Sequence, residues 1–266
     1  MAKDAGNFGN CLTLELLHQL KPQGLPEPFD GGIRRLTGWL NGRHGLNSAA
    51  NRVSGHVRMQ PSGLKCEPFP EFEDNYLWTL RNHEGFALIV DPGDAQIVMR
   101  QMQTGLKPIA IFITHHHHDH IDGLAELMRH CAAPVYAPED PRIPFATHRV
   151  RHGEHIPLPE LGLDFRVIAV PGHTMSHVAY YGGEFLFCGD TLFSLGCGRL
   201  FEGTPAQMLH SLDLLTALPA QTQVCCSHEY TLSNLCFAEA AEPDNHERDQ
   251  IGRQIREKRQ QSRPSL

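Results

Sequence analysis

From about residue 63 onward, short apolar runs alternate with amphipathic stretches along this 266-residue chain. Asn75–Leu80 and Phe86–Val90 read as strands, the second closed by the turn signal Asp91-Pro92-Gly93. The spacing over Asp94–Met102 predicts a helix with Asp94 at its start. Pro108–Ile113 is a short isoleucine-rich run and predicts a buried strand. A helix from about Ile121 to His130 and a short strand over Ala133–Tyr136 follow. Leu163–Val170 alternates and then runs apolar into Pro171-Gly172, while Val178–Tyr181 and Glu184–Cys188 predict a hairpin across Gly182-Gly183. Gln207–Leu218 reads as a helix, Gln223–Cys226 as a strand, and Leu232–Ala241 and His246–Gln261 as closing helices. This mixture, without internal repeat, predicts an α/β or α+β fold with helices flanking sheet.

Residues 1–58 differ: they are rich in Gly, Asn and Pro, with one short helical stretch at Leu12–Leu20. They are expected to be a poorly ordered extension. The alternatives are a transit peptide, given five arginines and no acidic residue between Gly31 and Cys66, or an upstream start preceding a native Met59. The expected organisation is a catalytic domain over 59–228 and a partial helical domain over 229–266. A net charge of -7 does not favour a nucleic-acid surface, and no apolar run approaches a membrane span. None of the eight cysteines forms a C-x-x-C pair, so they read as small buried hydrophobes in a reducing compartment, the cytoplasm.

The 18 histidines are the anomaly. Five fall within Ile113-Thr114-His115-His116-His117-His118-Asp119-His120, mid-chain and directly after a strand, which is no place for a purification tag. Three other predicted strands also end in a metal-capable residue: Val170 runs into Gly172-His173, Phe187 into Gly189-Asp190, and Cys226 into Ser227-His228. Strand ends are where α/β folds collect catalytic groups, and four such ends are most simply explained by one converging site. Imidazole and carboxylate suit zinc, iron and manganese. His115, His117 and His173 can form one group and Asp119, His120 and His228 a second, with Asp190 bridging; spacing alone does not fix that division.

The order His-x-His-x-Asp-His, Gly-His, Gly-Asp, His resembles the ligand order of the metallo-β-lactamase superfamily. Gly196-Cys197-Gly198-Arg199-Leu200-Phe201-Glu202-Gly203 and His228-Glu229-Tyr230-Thr231, with Asp74-Asn75-Tyr76, make the chain similar over roughly 63–262 to the glyoxalase II (hydroxyacylglutathione hydrolase) family. The resemblance implies an αββα sandwich followed by a helical segment, here shortened. It implies two divalent metal ions, zinc foremost, divided as above among His115, His117, Asp119, His120, His173, Asp190 and His228. The implied reaction is hydrolysis of S-D-lactoylglutathione to glutathione and D-lactate, the second step of methylglyoxal detoxification, by a hydroxide bridging the metals, with Asp119 steering its proton. Arg199, Phe201 and Tyr230 would contact glutathione; some relatives carry tyrosine in place of Phe201. Family members continue past the Pro264-Ser265 at which this chain closes, so weak substrate affinity is expected. His116 and His118 have no ligand role and are expected to pack or cap the loop. Arg256, Lys258 and Arg259 are expected on a solvated helix face. The chain is expected to act as a monomer on a small molecule, with neither nucleic acid nor membrane as partner. Rival readings are a persulfide dioxygenase or lactonase of the same superfamily, or an inactive metal-binding protein.

Overall fold

The computed structural model describes residues 63–265; the Leu12–Leu20 helix and the rest of the N-terminal expectations lie outside the described residues. Two sheets carry the fold. The first has the order β1-β2-β3-β4-β5-β6: β1 (Lys65–Glu71), β2 (Asn75–Arg81), β3 (Phe86–Val90), β4 (Lys107–Phe112), β5 (Val135–Pro138) and β6 (His148–Val150). The second has the order β13-β10-β9-β8-β7: β7 (His155–Leu158), β8 (Leu163–Ala169), β9 (Val178–Gly182), β10 (Phe185–Gly189) and β13 (Gln223–Cys226). Leu192–Phe193 (β11) and Gly196–Cys197 (β12) form a small ribbon between β10 and β13 in sequence.

The side-chain alternation of the central strands explains the layering. In β3 and β4, Leu88, Val90, Ala110 and Phe112 face one core together with Phe165, Val167, Tyr180 and Phe187 of the second sheet. Their neighbours Ala87, Ile89, Ile111 and Ile113 face a second core with Val98, Leu124 and Leu127 of helices α1 (Ala95–Gln103) and α3 (Leu124–Leu127). A strand buried on both faces must be apolar at every position, which is why Pro108–Ile113 reads as an unbroken run. Phe112 stacks on Tyr180 with ring centroids 4.3 Å apart, and the Tyr180 hydroxyl donates to the Ile113 carbonyl at 2.8 Å. That bond satisfies a buried polar group while tying the two sheets together just before the histidine run.

Two differences from the sequence reading have physical causes. The expected helix over 121–130 is two short pieces, α2 (His118–Ile121) and α3, broken at Asp122-Gly123. Gly123 passes so close to the Pro92–Ala95 turn that a Cβ would lie 2.5 Å from the Pro92 carbonyl oxygen. Strand β1 was not anticipated because Lys65-Cys66-Glu67-Pro68-Phe69-Pro70-Glu71 carries two prolines. It is an edge strand, where a missing N–H can face solvent.

Helix α4 (Pro205–Thr216) begins in a full capping box, Thr204 with Gln207, and its Ser211 hydroxyl donates to the Pro171 carbonyl at 2.8 Å. Residues Tyr230–Ser265 make a separate compact unit containing α5 (Thr231–Ala241) and α6 (His246–Gln260). Within it, Leu235 packs on Gly252, and the buried Arg248 donates to the carbonyls of Ala238 and Glu242. The basic residues of α6 are not simply solvated: Arg256 pairs with Glu239 at 2.7 Å, Lys258 donates to Ser265 and Arg259 to Arg263. All described cysteines are free; Cys188, Cys225 and Cys226 are buried as expected, whereas Cys197 and Cys236 are exposed. Among the described residues no helix is long and apolar enough to cross a membrane.

At the end of β1, Glu71 is buried and accepts the Asp94 amide at 2.9 Å. Burial pushes its carboxyl up to about 8, although that amide and nearby His120 pull the other way. The folded state therefore keeps a proton that the unfolded state loses above about pH 4.5, so the contribution of this carboxyl to metal-free stability falls as pH rises from about 5 to 8 and levels off beyond. Chemical denaturation across pH checks this: Glu71→Gln should flatten that slope and be more stable than wild type at pH 9, by on the order of a few kcal/mol.

Candidate metal centre

Every expected ligand emerges where a strand has just ended. His115 and His117 follow β4, Asp119 and His120 lie in α2, His173 follows β8, Asp190 follows β10 and His228 follows β13. The first sheet thus supplies four of the seven and the second sheet three. Backbone bonds between the sheets set the gap: Val178 N–H donates to the Thr114 carbonyl at 3.0 Å and Tyr76 N–H to the Ser227 carbonyl at 2.7 Å. Gly189 permits the close approach. Its φ is +49°, and a Cβ there would lie 2.4 Å from the Thr114 hydroxyl oxygen.

The donor atoms fall into two adjoining groups, His115–His117–His173–Asp190 and Asp119–His120–His228. In the first, Nδ1 of His117 lies 3.0 Å from Nε2 of both His115 and His173, and Asp190 Oδ2 lies 3.2 Å from His173 Nε2. Ligands about 2.0–2.1 Å from a tetrahedral metal are separated by about 3.3 Å, so this crowding of lone pairs fits one ion. In the second, Asp119 Oδ2 lies 3.5 Å from His120 Nε2 and 3.4 Å from His228 Nε2. Asp190 reaches this group with its other oxygen, Oδ1, 3.5 Å from His120 and 3.2 Å from His228. The buried Nε2 of His120 has no hydrogen-bond partner within the protein, as a nitrogen reserved for a metal would have none.

The far side of four of the five ligand imidazoles is held. His115 Nδ1 meets the Thr114 hydroxyl at 3.0 Å, and that hydroxyl donates to Asp91 at 2.7 Å. Asp91 also takes His120 Nδ1 at 3.1 Å, Asp74 takes His228 Nδ1 at 2.9 Å, and the Arg199 carbonyl takes His173 Nδ1 at 2.7 Å. These partners fix the tautomers of those four imidazoles so that Nε2 points inward, whereas His117 presents Nδ1. Asn75 donates to Asp119 at 2.7 Å and Ser227 to Asp190 at 2.5 Å.

Charge in the metal-free cluster follows from the same geometry. Burial and neighbouring histidines hold His115 well below the usual imidazole range, and burial pulls His117 down to about 4. Burial disfavours the cationic form of His120 and His228 too, but the Asp190 carboxylate overrides it, raising His120 strongly and His228 to about 9. Asp190 itself stays well below the carboxylate range because those cations and hydrogen bonds outweigh its burial. The centre thus holds protons next to Asp190 where a divalent ion would displace them.

Of the residues assigned to glutathione, Phe201 is exposed with its ring 5.5 Å from that of His117 and 5.2 Å from that of His173. The Arg199 guanidinium lies 5.2 Å over the Phe201 ring. Tyr230 stands at the N-cap of α5, in the separate C-terminal unit. The two non-ligand histidines of the run differ from one another. His118 is exposed and pairs with Asp122 at 3.0 Å, as loop capping would have it. His116 is instead largely enclosed, 3.5 Å from Asp140 and 3.8 Å from Glu202.

The sequence reading missed His177. It is fully buried, stacks on His115 at 4.6 Å, and its Nε2 accepts the Asp190 amide at 3.1 Å. Burial lowers it to about 3, so it stays neutral, with its proton on Nδ1 facing the Val178 carbonyl. The available signal was its place four residues after His173 in His-Thr-Met-Ser-His.

Replacing His177 by leucine strands the buried Asp190 N–H and removes the ring behind His115. Outer partners of this kind typically matter about 10–100-fold in metal affinity, so His177→Leu should release zinc to a competing chelator correspondingly more readily than wild type, with the folded circular dichroism spectrum retained.

Comparison with known proteins agrees with this geometry. The profile of the Metallo-beta-lactamase superfamily matches residues 73–228. The chain is 50% identical over 200 residues, 75% of its length and 78% of the relative's, to a protein of Nitrosomonas eutropha named hydroxyacylglutathione hydrolase. It is 54% identical over 183 residues, 68% of its length and 70% of the relative's, to a protein of the same name from Xylella fastidiosa. Among solved structures, TTHA1623 in a di-iron-bound form superposes with a TM-score of 0.52 at 30% identity, covering 61% of this chain and 91% of that one. With half of its matched residues shared with named hydrolases and the whole strand-end cluster inside the matched span, the chain belongs to the metallo-β-lactamase superfamily and, within it, to the hydroxyacylglutathione hydrolase family.

Proposed function

We propose that this protein hydrolyses S-2-hydroxyacylglutathione thioesters, S-D-lactoylglutathione foremost, to glutathione and the free hydroxy acid. The observation that carries the reading is the division of donors around Asp190, one oxygen toward each group, in a chain about half identical to named hydrolases. His115, His117 and His173 would hold one divalent ion and Asp119, His120 and His228 the other, with Asp190 shared. The di-iron form of TTHA1623 supports a pair of ions, and the nitrogen and oxygen donors suit zinc. When bound, such a pair lowers the pKa of water to about 7 and polarises a carbonyl.

The chain's own groups then have distinct tasks. Burial would raise Asp119, but the neighbouring His120 imidazole and the hydrogen bond from Asn75 depress its carboxyl below the ordinary range. It is therefore ionised at neutral pH, able to accept and orient a proton at Oδ2 but not to donate one. The leaving thiolate needs no strong acid, since a thiol of pKa about 8.5 departs readily. Arg199 supplies an exposed cation for a glutathione carboxylate, Phe201 covers His117 and His173, and the Tyr230 hydroxyl is assigned a further contact with the tripeptide. The free cysteines fit a reducing compartment, and the cytoplasm is proposed.

The test is hydrolysis of S-D-lactoylglutathione with bound metal counted in the same sample. Two ions per chain are expected, with turnover abolished by chelation and restored by zinc. Asp190→Asn should lower metal content and reduce kcat/KM by about three orders of magnitude or more. Two bound ions with no thioester turnover would overturn the reading.

A further inference from the structure

Arg142 lies outside every metal-ligand position, yet its guanidinium joins two carboxylates beside the centre, and these in turn hold the loop bearing His173. Its Nε and Nη2 grip Asp140 at 2.8 and 2.7 Å, and its Nη1 reaches Glu202 Oε1 at 2.6 Å. Asp140, itself buried, also accepts the Ser176 hydroxyl at 2.6 Å, while Glu202 Oε2 accepts the Met175 amide at 2.7 Å. The ring of His116 stands against both carboxylates. One cation thus fastens the turn after β5 to the loop bearing His173 and to the 199–203 segment, against the flank of the histidine run.

The 199–203 segment is attached to that loop mainly by backbone. Phe201 and Glu202 amides donate to the His173 carbonyl at 3.2 and 3.3 Å, and Gly203 N–H to Gly172 at 2.9 Å. These bonds fix where the segment runs. The Glu202 side chain fixes how it is turned, and therefore where its neighbours Phe201 and Arg199 are presented. The Arg142 side chain is 48% exposed, so its ion pairs add little to global stability and act locally. None of its partners is a metal-facing atom.

We infer that Arg142, through Asp140 and Glu202, is a positioning residue that holds the Arg199–Glu202 segment against His117 and His173 and so sets the affinity for the glutathione half of the substrate. This rests on the assignment of Arg199 and Phe201 to glutathione. The segment also meets a metal ligand, its Arg199 carbonyl taking His173 Nδ1 at 2.7 Å, but it does so through backbone that the Phe201, Glu202 and Gly203 amide bonds hold, so the bridge acts on how the side chains are presented.

The experiment is a double-mutant cycle on the metal-loaded full chain with Arg142→Met, Glu202→Gln and the pair. Readouts are KM, kcat, bound metal, melting temperature and binding of S-hexylglutathione, which is not hydrolysed. Each single variant should raise KM about tenfold and weaken S-hexylglutathione to match, with kcat within about twofold and metal content unchanged. The double variant should be no worse than the weaker single, since both break one bridge. Arg142→Lys should recover only part of the loss, because an ammonium cannot make the fork. With a wild type that turns over, an unchanged KM in the variants, additive losses, or a fall in kcat with metal content would each overturn the inference while leaving the hydrolase reading intact. A wild type that neither turns over the thioester nor binds S-hexylglutathione would overturn both.

Discussion

The architecture depends on the burial of one carboxylate. Asp190 is only 6% exposed, and an ionised carboxylate so enclosed is costly unless its surroundings compensate. Here they do so from two sides: His115 and His173 face one oxygen, and His120, His228 and the Ser227 hydroxyl face the other. Those residues come from three strand ends, and Asp190 itself from a fourth, in two sheets. The position of one side chain therefore constrains the spacing between the sheets, the left-handed Gly189 before it, and the inter-sheet bonds at Thr114 and Ser227.

Around that carboxylate, a second layer of carboxylates, hydroxyls and carbonyls determines how the imidazoles point. The turn between β1 and β2 contributes Asp74 to His228, and the first residue of β2 contributes Asn75 to Asp119, while Asp91 after β3 serves Thr114 and His120 together. His177 completes the layer from behind by accepting the Asp190 amide. Farther out, Arg142 ties the segment carrying Arg199 and Phe201 to the same loops. The 199–203 segment meets the donors through backbone, its Arg199 carbonyl taking His173 Nδ1, while its side chains are held by the Arg142 bridge.

Much of this was legible along the chain. Unbroken apolar runs such as Pro108–Ile113 identified strands buried on both faces, and a metal-capable residue after each of four strands pointed to one centre. What was not legible has specific causes. Two prolines concealed β1, whose edge position tolerates them. Close packing under Pro92 broke the helix expected after His120. His116 and His118 look alike in the run, but one is enclosed by Asp140 and Glu202 and the other is in solvent.

The sequence by itself determined the donor chemistry and its order along the chain: residue types, strand-end placement and the flanking Gly-Arg-Leu-Phe-Glu-Gly and His-Glu-Tyr-Thr segments are local properties. Only the tertiary structure decided which oxygen of Asp190 serves which histidines, that His177 lies behind the ligands, and that Arg142 bridges Asp140 to Glu202, 60 residues away from it. These are contacts between segments far apart in sequence. Nothing in the spacing of a chain records them, because they depend on how two sheets pack and on the angle at which each loop leaves its strand.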